Sequence, residues 1–287
     1  MQFVETTTKD GLIFQGLLAE PLKKTDTVIL HIHGMSGNFW ENSFIKTMLS
    51  EYPKNGLAFL TVEHRGAEML RWFSTTNGGI RLVGNAHEIF EDSIYDIDAW
   101  VNYLSSKGYK NIHLQGHSLG CSKIIYYQKI KNNPLINSLL FISPADMIGL
   151  RVEPENIKEY EKSLKEAKEL IKKGKGDELL SGIQWGFAKQ SAKSFLNFSC
   201  ENDNIAIFNY YNSEKGFKTI NSIKIPMLSI LGTKDDGIVT DAYKSTEILK
   251  KESKNSKKFH GVVFDGAFHD FDGFEDKIVK EVLNFIK

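Results

Sequence analysis

Two cysteines in 287 residues, Cys121 and Cys200, cannot make a disulfide framework. Charge of one sign is missing too. Thirty-six Lys and Arg balance 36 Asp and Glu, so no global field gathers nucleic acid or an anionic membrane. No uninterrupted apolar run approaches the ~20 residues that a spanning helix needs. The opening segment Met-Gln-Phe-Val-Glu-Thr-Thr-Thr-Lys-Asp carries acid and no apolar run, so it is not expected to be a secretory signal. Internal repeats are absent. These absences point to a cytoplasmic protein with neither nucleic-acid nor membrane partners. They leave the oligomeric state open, a homodimer included.

What remains is an ordinary globular composition, 41% hydrophobic and 25% charged. The length suits one large domain with an insertion, or two modest ones. Residues 3–20 alternate around Asp10-Gly11 and predict a β-hairpin. Apolar runs at 27–33, 56–62, 111–116, 137–143, 225–231 and 259–264 read as buried strands. Helical patterns at 44–49, 88–104, 121–129, 241–251 and 276–286 lie between and after them. Over 88–104, Ile89, Ile94, Ile97, Trp100, Val101 and Leu104 form the apolar stripe. Strands alternating with helices predict an α/β fold with a mostly parallel central sheet flanked by helices. From 146 to 220 the rhythm breaks. A charged helix begins near Pro154, with Ile157, Tyr160, Leu164, Ala167 and Ile171 at three- and four-residue intervals. An aromatic stretch follows, with Trp185, Phe187, Phe195 and Phe198. The division expected is therefore a core of 1–145 and 221–287, with 146–220 inserted as a helical cap.

One decapeptide carries most of the chemistry: Asn111-Ile-His-Leu-Gln-Gly116-His-Ser118-Leu-Gly120. A serine between a strand and a helix sits in a sharp turn that lifts its hydroxyl clear of the sheet. Glycines at 116 and 120 allow strand and helix to cross closely. An alcohol is a poor nucleophile at neutral pH, so Ser118 needs a base and a group that orients the base. Cys121, three residues on, reads as a small buried thiol.

Four landmarks in order, His33-Gly34-Met35, Glu63-His64-Arg65-Gly66, Gly116-His-Ser118-Leu-Gly120 and Asp265-Gly-Ala267-Phe268-His269, resemble the α/β-hydrolase superfamily. Counted from His31, at the start of the loop that holds the first, they span residues 31–269. The stretch 88–128 is also similar to ester-cleaving members that act on siderophores. Glu63 stands where aspartate is more frequent, and the role implied for its turn is structural. The resemblance implies the order nucleophile, acid, histidine. It makes Ser118 the nucleophile and His269 the base. Asp235, three residues past Gly232, is the preferred acid, with Asp236 its rival and Asp146 a third candidate after the preceding strand. Backbone N–H groups of Leu119 and Met35 would form the oxyanion hole.

The function expected is hydrolysis of a carboxylic ester with an apolar or acyl portion, without a cofactor or metal. Thioester or amide cleavage would use the same groups, and the fold also hosts lyases, perhydrolases and binding proteins. His31 and His33 could suggest a metal, but a third ligand is missing. Arg71 and Arg81 could meet an anionic substrate.

Overall fold

The alternation read along the chain becomes one eight-stranded sheet with helices on both faces. The computed structural model describes residues 1–287. The chain enters as a hairpin of β1 (Gln2–Thr7) and β2 (Ile13–Ala19). Its turn is made at Gly11, whose φ of +87° suits glycine alone. Next come β3 (Thr27–Ile32), α1 (Ser43–Lys54) and β4 (Ala58–Val62). A small ribbon follows, made of β5 (Trp72–Ser74) and β6 (Ile80–Leu82). Then α2 (Ser93–Ser106), β7 (Asn111–His117), α3 (Leu119–Lys131) and β8 (Ile136–Ile142) complete the first half. Four helices intervene: α4 (Gly149–Val152), α5 (Ile157–Lys172), α6 (Ala192–Asn197) and α7 (Lys218–Ser222). The sheet resumes with β9 (Met227–Lys234), α8 (Ala242–Glu252), β10 (Phe259–Phe268) and α9 (Glu275–Ile286).

The strand order is β1-β2-β4-β3-β7-β8-β9-β10. From β4 to β10 all neighbours are parallel, and β2 joins β4 antiparallel at the hairpin edge. Both faces are buried, which is why the central strands are continuous apolar runs rather than alternating ones. In β3, Val28, Leu30 and Ile32 meet the larger core cluster, with Trp100 of α2 and Ile124 of α3. Ile29 points to the opposite face, among Phe44 and Met48 of α1 and Ile278 and Val282 of α9. Strands β3, β7, β8, β9 and β10 all deliver their C-terminal ends to one rim. No helix is long and apolar enough to cross a membrane.

Several elements differ from expectation. The helix foreseen from Glu88 begins at Ser93. Glu88 is fully buried on Lys123, and residues 90–92 make a single 3₁₀ turn. Helix α5 starts at Ile157 rather than Pro154, and Ile171 is exposed, so its stripe stops one turn early. Strand β10 runs four residues past 264, across a register shift. The segment from α4 to α7 builds its own cluster of Tyr160, Ala167, Leu180, Ala192 and Phe195. Only isolated bridges, Leu179–Ser191 and Gln184–Ala188, stand in for strands there.

Candidate active site

Ser118 occupies the turn between β7 and α3 with φ 53° and ψ −125°. A non-glycine residue in such a region carries local strain of roughly 1–3 kcal/mol, held in place by its surroundings. The surroundings are specific. Ser118 N–H donates to Ile142 O at 3.0 Å, and its carbonyl accepts from Cys121 N at 3.0 Å. A Cβ on Gly116 would lie 2.5 Å from Cys121 N, and one on Gly120 would lie 2.2 Å from Ile32 O. Gly34, at the end of β3, lets the chain pass so close that its own Cβ would lie 2.9 Å from the Ser118 Cβ. Cys121 is buried, its thiol donates to Gly116 O at 3.1 Å, and burial pushes its pKa well up. It is an inert packing group.

His269 follows β10. Its Nδ1–H donates to Asp235 Oδ1 at 2.7 Å, and Asp235 comes from the loop just after β9. Adjacent parallel strands thus carry the two groups to the same rim. Gly237 N–H also donates to Asp235 Oδ1, at 2.8 Å. A Cβ on Gly237 would strike the imidazole at 2.3 Å. Burial opposes charge on both partners. Even so, the hydrogen bond and attraction between them win, raising the His269 pKa above its ordinary 6.5 and lowering that of Asp235. Asp270 and Asp236 add to the rise at His269.

The neighbouring Asp236 is exposed, and it reaches the imidazole only through its charge. Asp146 does not touch His269. Its buried carboxylate accepts from Gly149 N at 2.7 Å, Ile148 N at 3.2 Å and Tyr211 N at 2.8 Å, tying α4 to the chain near 211. Burial pushes its pKa up to about 6.

Ser118 Oγ and His269 Nε2 are not hydrogen-bonded to each other in this structure. His117, the residue before Ser118, donates its Nε2–H to His269 O at 3.0 Å, and its ring centroid lies 5.0 Å from that of His269. Catalytic hydrogen bonds are often long before a substrate arrives. Asn42 and Ser43, at the start of α1, clamp the same loop through Asp270 at 2.9 Å and Asp272 at 2.7 Å.

Sequence reasoning missed Ser143, the residue just after β8, with φ 52°. Its Oγ–H donates to Asp235 Oδ2, and its Oγ lies 2.7 Å from His269 Nδ1, sharing that proton with Asp235. The one available signal was a hydroxyl at the tip of the strand beside β9.

The Met35 N–H donates to no acceptor within the protein. Leu119, as the first residue of α3, has no carbonyl four residues back inside the helix. The loop carrying Met35 rests on a buried polar stack. His64 Nε2–H donates to His33 O at 3.2 Å, and the two rings stack with centroids 3.8 Å apart. Below them Lys123, hydrogen-bonded to Glu88, reaches His64 Nδ1 at 3.3 Å. Desolvation lowers the Lys123 pKa and raises that of Glu88.

His33 lies beyond the end of β3 and packs on His64, whereas His31 turns to Gln115 at 2.9 Å and Phe44. The two do not form a chelate. The group best placed for a metal is Asp235, Asp236 and His269, with ligand atoms within 4.8 Å of one another. There the hydrogen bond between Asp235 and His269 already uses the central atoms. Arg71 and Arg81 are answered by carboxylates, Glu63 at 2.6 Å and Glu68 at 3.3 Å for the first, and Asp10 at 2.6 Å for the second.

No curated relative matches the chain. Among solved structures it is similar to Est1E from Butyrivibrio proteoclasticus with ferulic acid bound. That match has a TM-score of 0.67 at 18% identity, over 99% of this chain and 98% of the other. A carboxyl esterase from Bacillus coagulans aligns with TM-score 0.69 and 13% identity, over 100% and 98%. A monoacylglycerol lipase from Paleococcus ferrophilus gives 0.63 and 19%, over 95% and 99%. These identities speak for a common fold, that of the α/β-hydrolases. Residues 90–287, more than half of the sequence, match a family described as a protein of unknown function, DUF1749. The chain belongs to the DUF1749 family and has the α/β-hydrolase fold.

Proposed function

We propose that this protein is a serine hydrolase that cleaves a carboxylic ester through an acyl-enzyme. The observation that carries the reading is the 2.7 Å contact between His269 Nδ1 and Asp235 Oδ1, at the rim where Ser118 is held in its strained turn. With Nδ1–H committed to the carboxylate, Nε2 is the basic nitrogen that takes the Ser118 proton. Ser118 Oγ attacks the ester carbonyl, and the oxyanion that develops is held by the N–H groups of Met35 and Leu119. His269 then protonates the leaving alcohol. Water, activated by the same imidazole, releases the acid and restores Ser118. Asp235 fixes the tautomer and offsets the transient imidazolium charge.

Residues 146–220 act in this reading as a cap, whose aromatic groups select an apolar or acyl substrate. Structural neighbours named as esterases and a lipase support ester chemistry. Thioesters and amides are chemically open to the same groups. Two free thiols, Cys121 and Cys200, suit a reducing compartment such as the cytoplasm.

A panel of p-nitrophenyl esters of increasing acyl length tests the reading. Wild type should turn over at least part of the panel. Ser118→Ala and His269→Ala should each lower kcat by about 10⁴-fold or more, with little further loss in the double variant. A Ser118→Ala protein as fast as wild type would end the proposal.

A further inference from the structure

The segment between β8 and β9 holds a guanidinium with no counter-ion. Arg151, in α4, is only 1% exposed. It sits among the rings of Trp185, Phe195 and Tyr160, with its Cζ 4.6, 4.8 and 5.5 Å from their centroids. Its only hydrogen-bond partners are two neutral amides at long range, Gln184 Oε1 at 3.4 Å and Gln190 Oε1 at 3.3 Å. The buried Nε–H has no acceptor.

Another buried arginine in the same chain shows what is missing. Arg65, 3% exposed, is met by Asp96 at 2.8 Å, Asp92 at 3.0 Å and Asp10 at 3.2 Å, and its pKa is raised. Arg151 has no such partner, and burial pushes its pKa down to about 10. Aromatic faces answer part of a buried cation's charge. They offer nothing to its in-plane N–H donors, which call for oxygen acceptors.

Beside the guanidinium lies a cavity of about 130 Å³, walled by Arg151, Asn156, Glu159, Tyr160, Gln184 and Trp185 among others. Drug-sized ligands fill cavities of roughly 300–1,000 Å³, so this one suits a single small group. We propose that the cavity is a binding site for one small oxyanion, a carboxylate or phosphate group, held by the Arg151 fork. Planar, bidentate recognition of such groups is what a guanidinium does best. Glu159 is the opposing group on the same wall. Its side chain is 40% exposed, lies 3.9 Å from Lys162 Nζ and accepts from Ser163 Oγ at 3.3 Å, and it forms no ion pair with Arg151. Its charge works against the incoming anion.

The test is calorimetric titration of the full chain with inorganic phosphate and with acetate, at ionic strength held constant with chloride. Binding does not depend on hydrolysis, so failure of the ester reading leaves this readout untouched. Saturable one-site binding of either anion is expected, weakened at least 30-fold in Arg151→Met and tightened at least threefold in Glu159→Gln. Absence of saturable binding of either anion by wild type overturns the proposal. So does undiminished affinity in a folded Arg151→Met. Should that variant fail to fold, Glu159→Gln decides, and unchanged affinity there overturns it. Esters with and without a terminal carboxylate on the acyl chain identify the source. Phosphate that competes only with the carboxylate-ended ester assigns the site to substrate. Phosphate that binds without competing assigns it to a free anion, and either result supports the site.

Discussion

Asp235 and Asp236 are adjacent and chemically identical, and the backbone alone separates them. One is buried on His269 Nδ1, and the other faces water. In the proposed mechanism, Asp235→Asn should lower kcat by about 10⁴-fold, the usual cost of losing the orienting acid. Asp236→Asn should cost little in rate yet change the pH profile. The base must be unprotonated, so kcat/KM rises with pH through the His269 pKa, which lies above 6.5. Removing the Asp236 charge makes the imidazolium less favourable, so the limb should move to lower pH. A pH–rate series on the variant checks the direction, and an unmoved or upward-shifted limb contradicts it. Ser118 could be read from sequence because its strand, turn and helix are consecutive. Ser143 could not, because its contacts with Asp235 and His269 exist only once β8, β9 and β10 are in register. His117 escaped for a similar reason, since its partner is a backbone carbonyl 152 residues away.

Elements with strong periodicity were legible: the hairpin, the buried strands, α1, α8 and α9. The ribbon of β5 and β6 was not, because three-residue strands with mostly exposed side chains carry no periodic signal. The early start expected for α2 has a clear cause as well. Ile89 fits the apolar stripe, but Glu88 is drawn inward by Lys123, which lies 35 residues away in sequence. At the crossing of β3 and α3, close approach is built into the backbone. Gly120→Ala would place a methyl group 2.2 Å from Ile32 O, a neighbour that cannot rotate away. Forcing extra volume into a packed site costs about 1–3 kcal/mol, occasionally more. The urea midpoint of Gly120→Ala should therefore fall clearly below that of wild type. An unchanged midpoint would show that strand and helix do not cross this tightly.

Across the whole molecule, burial sets the response to acid. His31, His33, His64, His113 and His117 all have pKa values lowered chiefly by burial, His33 to about 3 and His113 and His117 to about 4. Below pH 6.5 the unfolded chain takes up protons that these native rings refuse, so stability falls as pH falls. Each ring contributes about 1.4 kcal/mol per pH unit once only its unfolded form is charged. Asp146, raised to about 6, His269, raised above 6.5, and the raised carboxyls Glu41, Glu63, Glu88, Asp92 and Glu153 act in the opposite sense, whereas the lowered carboxyls Asp10, Glu91 and Asp235 add to the loss in acid. The melting temperature should drop steadily from pH 6.5 to 4, and a flat profile would contradict the buried histidines. The central claim is chemical: one hydroxyl, lifted at the junction of β7 and α3, becomes acylated. Reaction with a fluorophosphonate followed by peptide mass spectrometry tests it most directly. A single adduct on Ser118, lost in Ser118→Ala and slowed in His269→Ala, is the result the account predicts. A folded wild-type protein that stays unlabelled, or is labelled on another residue, would contradict it.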